Sequence, residues 1–486
     1  MLVILSDLHL NDGATGAMLA PGAIDLLTER LCDLAWRASW RADGCYQPID
    51  RIDLVLLGNT LDILGSQRWL ATPARPWDDP TSPAVVETVA GICEEILRKN
   101  VESIRALRAL ATDAAITLPP STSAGQPIAD VEELPIAVCT HYMVGNHDWP
   151  LHVRGQQHDL IRHKIAHHLG LVTQYNKPFP HEPCESDELQ DALRRHRVLA
   201  RHGDLFDPLA FHEDRDASCL SDAIAIELVS KFLKGVAGEL SAELSPAAAA
   251  ALREIGELRP VLLAPVWIDA TLERTSTPLA TRTAIRRLWD YTVEQFLHLE
   301  IVRKQAAACP ADLLDGLAAA LKFSRRDTHD WTGRTLRWLA GLRGATSGSY
   351  AIHAAAEADF RNRRARHIVY GHTHQHEIVP LDASHADGFV LNQTYFNAGT
   401  WRKCYQPTQA VGGRHEFVAS DSFTLLCFYQ ADERSGRSHE TWCGTLAPCL
   451  AEPPARPQAV PAPSAAAIRG PQFAHAGRGA ALARGY

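Results

Sequence analysis

Five short stretches carry side chains able to bind a cation or move a proton. They hold Asp7 and His9 in SDLHL, Asn59 and Asp62 in GNTLD, Asn146, His147 and Asp148 in GNHD, His202 and Asp204 in RHGD, and His372 and His374 in GHTH. Imidazole nitrogens mixed with carboxylate and amide oxygens suit Mn²⁺, Fe or Zn²⁺ better than Ca²⁺ or a thiophilic metal. At an extended strand end, residues i and i+2 point the same way, so Asp7 with His9, and His372 with His374, are each expected to approach one centre from one side. Gly58, Gly145, Gly203 and Gly371 stand in the same stretches and let the chain turn without crowding an ion. Any one stretch is weak evidence, because a histidine near a strand end is more often a surface or hydrogen-bonded group. The signal is that all five occur together.

What must position them is a set of strands. Apolar runs at 2–5, 53–57, 134–144 and 197–200 each lead directly into one of the stretches, and 367–370 leads into GHTH. Between them, 21–40, 84–111 and 156–169 have helical spacing, with Ile24, Leu27, Leu31, Leu34 and Ala35 on one face of the first. Alternating strands and helices predict an α/β fold, in which ligands gather where strands end. Residues 65–83 and 112–129 read as loops. From 216 to 366 the pattern turns helical (SDAIAIELVSKFLKGV, RTAIRRLWDYTVEQFLHLEIVRKQ, GRTLRWLAGLRG), and strands resume at 367–370, 377–380, 389–396 and 423–430. This divides the chain into a first core part (1–215), a helical insertion or cap (216–366), a second core part (367–450) and an Ala/Pro/Gly-rich tail (451–486) expected to be disordered.

Composition narrows the class. A net charge of −9 counts against a nucleic-acid-binding surface, and RNRRARH (361–367), the densest basic run, reads first as a solvated helix end. The 11 cysteines are odd in number and form no CxxC pair, so neither a disulfide framework nor a thiolate zinc site is expected, and a reducing cytoplasm is the natural setting. The first residues, MLVILSDLHLND, lack a basic lead and are broken by Asp7, unlike a signal peptide. No run approaches the ~20 apolar residues of a membrane span.

Taken in order, the stretches resemble the calcineurin-like metallophosphoesterases, whose pattern is DxH, GDxxD, GNH[DE], a later His, and GHxH. The likeness covers about the first 215 residues and the segment from about 367 to 430, and leaves the helical block and the tail unaccounted for. It implies an αββα sandwich of two mixed sheets flanked by helices, with a large helical insertion. It also implies a site for two divalent ions, Mn²⁺ first and Fe or Zn²⁺ as alternatives. Asp7, His9 and His374 would hold one ion, Asn146, His202 and His372 the other, and position 59 would bridge them. His147 would stand beside the scissile phosphate with Asp148 orienting it, and Gly203 and Asp204 would support His202. NAGTW (397–401) is similar to the turn that follows GHxH. The HGD form at His202 resembles the branch that cleaves the pyrophosphate of UDP-diacylglucosamine, a shorter protein, and Arg201 is a candidate phosphate contact. The implied activity is hydrolysis of a phosphoester or pyrophosphate in a phosphorylated small-molecule or nucleotide-type substrate. A nuclease and a catalytically weakened scaffold are the alternatives.

Position 59 departs from the pattern. The family places Asp there; this chain has Asn59, with one oxygen able to ligate, no charge, and an amino group that only donates. Three outcomes are open: Asn59 still ligates through oxygen, only one site fills, or catalysis is lost. The first is favoured because every other ligand position and the His147–Asp148 pair are intact. Asp62 is expected to hydrogen-bond within its own turn.

Overall fold

The structure is a computed structural model. It describes residues 1–445 apart from position 212 and the segments 309–312, 326–330, 343–348, 387–388, 409–416 and 421. The tail expected to be disordered lies outside the described residues. Met1–Cys449 cluster as one compact unit.

The fold is α/β, built on two mixed sheets. In chain order their strands are β1 (Leu2–Leu5), β2 (Arg51–Leu57), β3 (Ala137–Met143), β4 (Val198–Ala200), β5 (His367–Tyr370), β6 (His376–Ala386), β7 (Phe389–Ala398), β8 (Ser422–Phe428) and β9 (His439–Thr445). The first sheet runs β9-β8-β1-β2-β3, with β1, β2 and β3 parallel, β8 antiparallel to β1, and β9 antiparallel to β8. The second runs β4-β5-β7-β6, parallel except for β6.

Strand periodicity sorts the core into layers. In β1, Val3 and Leu5 face Leu27 and Leu31 of helix Ala23–Ala38, while Leu2 and Ile4 face inward. There they meet Val55, Leu57 and Met143 of their own sheet and Val369, Phe396 and Ala398 of the other. Ile368, Tyr370 and Tyr395 on the outer face of the second sheet pack on Tyr350 and Ala354. Parallel strands buried on both faces read as unbroken apolar runs, which explains why these were visible in the sequence.

Between β4 and β5 runs the helical block, with its own core around Phe232, Trp267, Trp289 and Phe296. A π-helix, Ile224–Ser230, joins it to the rest: Ile226 packs in the core of the first sheet, whereas Ile224, Leu228 and Val229 pack in the block. Among the described residues no helix is long and apolar enough to cross a membrane.

Several boundaries differ from expectation. The stretch 84–111 is two helices, Pro83–Lys99 and Val101–Thr112, because the Asn100 amide donates to the carbonyls of Ile96 and Asn11 (2.8 Å each) and competes with the helix. The stretch 134–144 splits, since Leu134–Pro135 leaves to pair with Thr117–Leu118 before β3 begins. Arg197 has φ 55°, so β4 starts one residue later. Strand β6 is far longer than 377–380, carried past a register shift between Pro380 and Asp382.

Candidate metal centre

The loops after β1, β2, β3, β4 and β5 meet between the two sheets, as the strand ends require. The expected route of approach is different. Asp7, His9, Asn59, His372 and His374 all have left-handed φ, between 44° and 66°, so the paired residues converge through turns and not through extended backbone. Such conformations each cost on the order of 1 kcal/mol and persist where surrounding bonds hold them. Here the loops zip together: His9 N–H donates to Asn59 O (2.8 Å) and Leu10 N–H to Thr60 O (2.9 Å). NAGTW supplies further struts, with Thr400 Oγ1 donating to Asp7 O (2.9 Å) and Asn397 Nδ2 to Gly371 O (2.8 Å).

Asp7, His9 and His374 are buried and aim donor atoms at one point. Asp7 Oδ1 lies 3.3 Å from His9 Nε2 and 3.3 Å from His374 Nε2, and the two nitrogens are 3.2 Å apart. Donor atoms around a tetrahedral ion with bonds near 2.0–2.1 Å are about 3.3 Å apart. The other Asp7 oxygen is already occupied, accepting from Ser6 Oγ (2.6 Å) and His372 N–H (2.9 Å). Burial opposes the Asp7 charge, but His202 and His374 overcome it and hold the carboxyl well below its ordinary range. Burial, with Arg259 nearby, pushes His374 well down, toward the neutral imidazole that can ligate. These three groups could hold a metal ion.

A second set meets at Asn146 Oδ1, which is 3.3 Å from His202 Nε2 and 3.1 Å from His372 Nδ1. The far nitrogens face acceptors: His202 Nδ1 lies 3.0 Å from Leu57 O, and His372 Nε2 3.3 Å from Asp207 Oδ2. Protons placed there leave lone pairs on Nε2 and Nδ1 turned toward Asn146. Burial holds His202 down at about 4, hence neutral. Gly145 is needed for this closeness, because a Cβ there would sit 2.5 Å from both Asn59 Oδ1 and His202 Cδ2.

Asn59 lies between the sets, but its oxygen does not face them. Oδ1 accepts the His147 backbone N–H (2.8 Å), and Nδ2 donates to Asp7 Oδ1 and Asn146 Oδ1 (3.1 Å each). A backbone N–H can only donate and a carboxylate can only accept, so the amide is locked in this sense. The expectation that Asn59 ligates through oxygen is not met in this arrangement; it cross-links the two sets by hydrogen bonds.

Three further assignments are corrected. Asp62, not Asp148, orients His147: Asp62 Oδ1 is 2.7 Å from His147 Nδ1, and Asp62 Oδ2 lies 3.6 Å from His9 Nδ1. The bond expected within Asp62's own turn is also present, from Gly65 N–H (3.0 Å). Asp148 instead gathers the loops, accepting from Gly145 N–H (2.6 Å), Thr60 N–H (2.9 Å) and Tyr142 O–H (2.7 Å), and burial pushes it up to about 6. Asp204 pairs with Arg215 (2.7 Å), leaving the support of His202 to the Leu57 carbonyl. Arg201 is tied to Glu182 (3.2 Å) and Glu357 (3.4 Å), away from the site.

Two cations escaped the sequence reading. Arg402 reaches Asp62 Oδ2 (3.3 Å), and its place directly after NAGTW was the available clue. Arg259 Nη2 stands 3.5 Å from His374 Nε2, and it comes from the helical block, where no motif marks it. Both line a cavity of about 230 Å³ above the two donor sets. Its floor includes Asn59, Asn146, His147, His372 and His374, and the block supplies an apolar wall that includes Ile224, Val229 and Leu262.

Compared with known proteins, the chain matches no protein-family model and no curated protein.

Proposed function

We propose that the protein is a metal-dependent hydrolase of phosphoester or phosphoanhydride bonds, as the resemblance to calcineurin-like metallophosphoesterases implies. The observation that carries this reading is the triangle of Asp7 Oδ1, His9 Nε2 and His374 Nε2 at 3.2–3.3 Å, beside a second donor set and the partly exposed His147. Divalent cations, Mn²⁺ foremost, would be held by Asp7, His9 and His374 and, more weakly, by Asn146, His202 and His372. When bound they supply Lewis-acid charge to phosphoryl oxygens and bring the pKa of water toward neutrality.

The chain's own residues do the rest. Asp62 holds His147 by Nδ1 and burial keeps the ring neutral, so the other nitrogen of this cavity-lining residue can take a proton from the attacking water and pass it to the departing oxygen. Arg259 and Arg402 place positive charge at the cavity edge, where phosphate oxygens gather. The apolar wall from the block excludes water and favours a substrate that joins a phosphate to an apolar group. The test is turnover of bis-p-nitrophenyl phosphate by the full chain with Mn²⁺. Activity should vanish in Asp7→Ala and fall about 10²–10⁴-fold in Asp62→Ala, the usual range for losing an oriented acid or base. No turnover with Mn²⁺, Fe²⁺ or Zn²⁺ would contradict it.

A second reading, a binding protein with little catalysis, is favoured by one observation: the Asn59 amino group points between the two sets.

A further inference from the structure

A second histidine cluster shares no residue with the centre above. His152 follows the short 3₁₀ turn Trp149–Leu151, His181 lies in the loop before the turn Pro183–Glu185, and Asp216 precedes the helical block. His152 Nδ1 contacts Asp216 Oδ1, and His181 Nε2 lies 3.8 Å from the same oxygen, too far for a hydrogen bond. The two rings are 4.4 Å apart between centroids.

An ion pair between His152 and Asp216 accounts for that contact but leaves His181 unexplained. The His181 side chain is 3% exposed, yet among the described residues neither ring nitrogen has a hydrogen-bond partner. Buried polar groups are nearly always bonded, and an unbonded one beside a carboxylate and a second imidazole is placed to take a water or an ion. Burial pushes His181 down, so its ring is neutral and has a lone pair to give.

Glu185 completes the arrangement from outside. Its Oε2 is 3.3 Å from His152 Nε2 and accepts the His181 backbone N–H (2.9 Å). Burial opposes the His152 charge, but Asp216 and Glu185 push it up to about 9, so an incoming cation displaces the Nδ1 proton, while Glu185 keeps the proton on Nε2, the support that ligating histidines usually have. Asp216 is 44% exposed on its side chain, so the cluster is open to solvent on that side.

We propose that His152 Nδ1, His181 Nε2 and the Asp216 carboxylate form a site for one divalent transition-metal cation of the zinc class. The three ligand atoms lie within 4.8 Å of one another, and two imidazoles with one carboxylate are a zinc donor set that leaves a position for solvent. A cation there fastens the loop after Asp148, the loop at His181 and the entry to the helical block to one another.

The test compares zinc content of the full chain, stripped with chelator and dialysed against Zn²⁺, between wild type and two variants. Asp216→Ala alters a half-exposed side chain and should fold; His181→Leu replaces the buried ring with an apolar group of fitting character. Each should lose about one equivalent of zinc and the matching part of the zinc-induced rise in Tm, while the remaining equivalents and Mn²⁺-dependent turnover persist. Equal zinc content in wild type and a folded variant would overturn the proposal. Loss of turnover in Asp7→Ala with this equivalent retained would separate the site from the phosphoesterase reading.

Discussion

Replacing Asn59 by aspartate would exchange an amino group for an oxygen between Asp7 Oδ1 and Asn146 Oδ1, each now 3.1 Å away. The remaining oxygen can keep the His147 N–H. Without metal, the new charge faces another acceptor and the empty site is destabilised; with metal, it becomes a charged ligand shared by both sets. Asn59→Asp is therefore expected to lower Tm in chelator and to bind the weaker ion at least about tenfold more tightly, the scale on which supporting groups tune metal sites. Calorimetric Mn²⁺ titration checks this, and unchanged affinity and stoichiometry would refute it. At this scale the donors were legible because His and Asp in short turns after apolar strands are rare together. Which carboxylate meets His147 was not legible. Asp62 and Asp148 stand in neighbouring loops, and which of them reaches His147 depends on Asp148 being taken up by the Thr60 and Gly145 backbone N–H groups, which no spacing rule reveals.

At the scale of elements, the loop after β3 is held to the helical block by Asp222, which accepts from Trp149 Nε1 (3.1 Å) and Ser218 Oγ (2.5 Å). Burial pushes Asp222 from 3.8 up to about 6. The folded chain thus keeps a proton that the unfolded chain releases, so this contribution is whole below about pH 4 and is lost as pH rises through about 6. The stability of wild type minus that of Asp222→Asn should fall by on the order of 2–3 kcal/mol between those limits. Urea unfolding at a series of pH values checks it; a difference independent of pH would contradict it. Strands buried on both faces and the helix Gln156–Leu169 were readable from pattern. Strand β9, HETWCGT, was missed because it lies at the sheet edge with partly exposed, mostly polar residues and lacks an apolar run. The break at Asn100 was hidden because its cause is a bond to Asn11, far away in sequence.

For the molecule as a whole, the helical block is joined to the sheets by Ile226 and by Arg402, and Arg402 also lines the site. Ile226 sits in the sheet-side core while its neighbours sit in the block, and Arg402 spans Asp62 and Glu257. Ile226→Ala should cost about 2–5 kcal/mol, and amide exchange should quicken in Ile224–Ser230 and in the loop carrying His147. Quickening confined to the block would show that the junction does not brace the site. The account rests on loops from both sheets closing around a cation, and one measurement meets that directly: anomalous diffraction at the manganese edge from crystals grown with Mn²⁺. The expected result is a peak among Asp7 Oδ1, His9 Nε2 and His374 Nε2, with a second, weaker peak beside Asn146. A map with Mn²⁺ elsewhere and no peak among those three atoms would contradict the account.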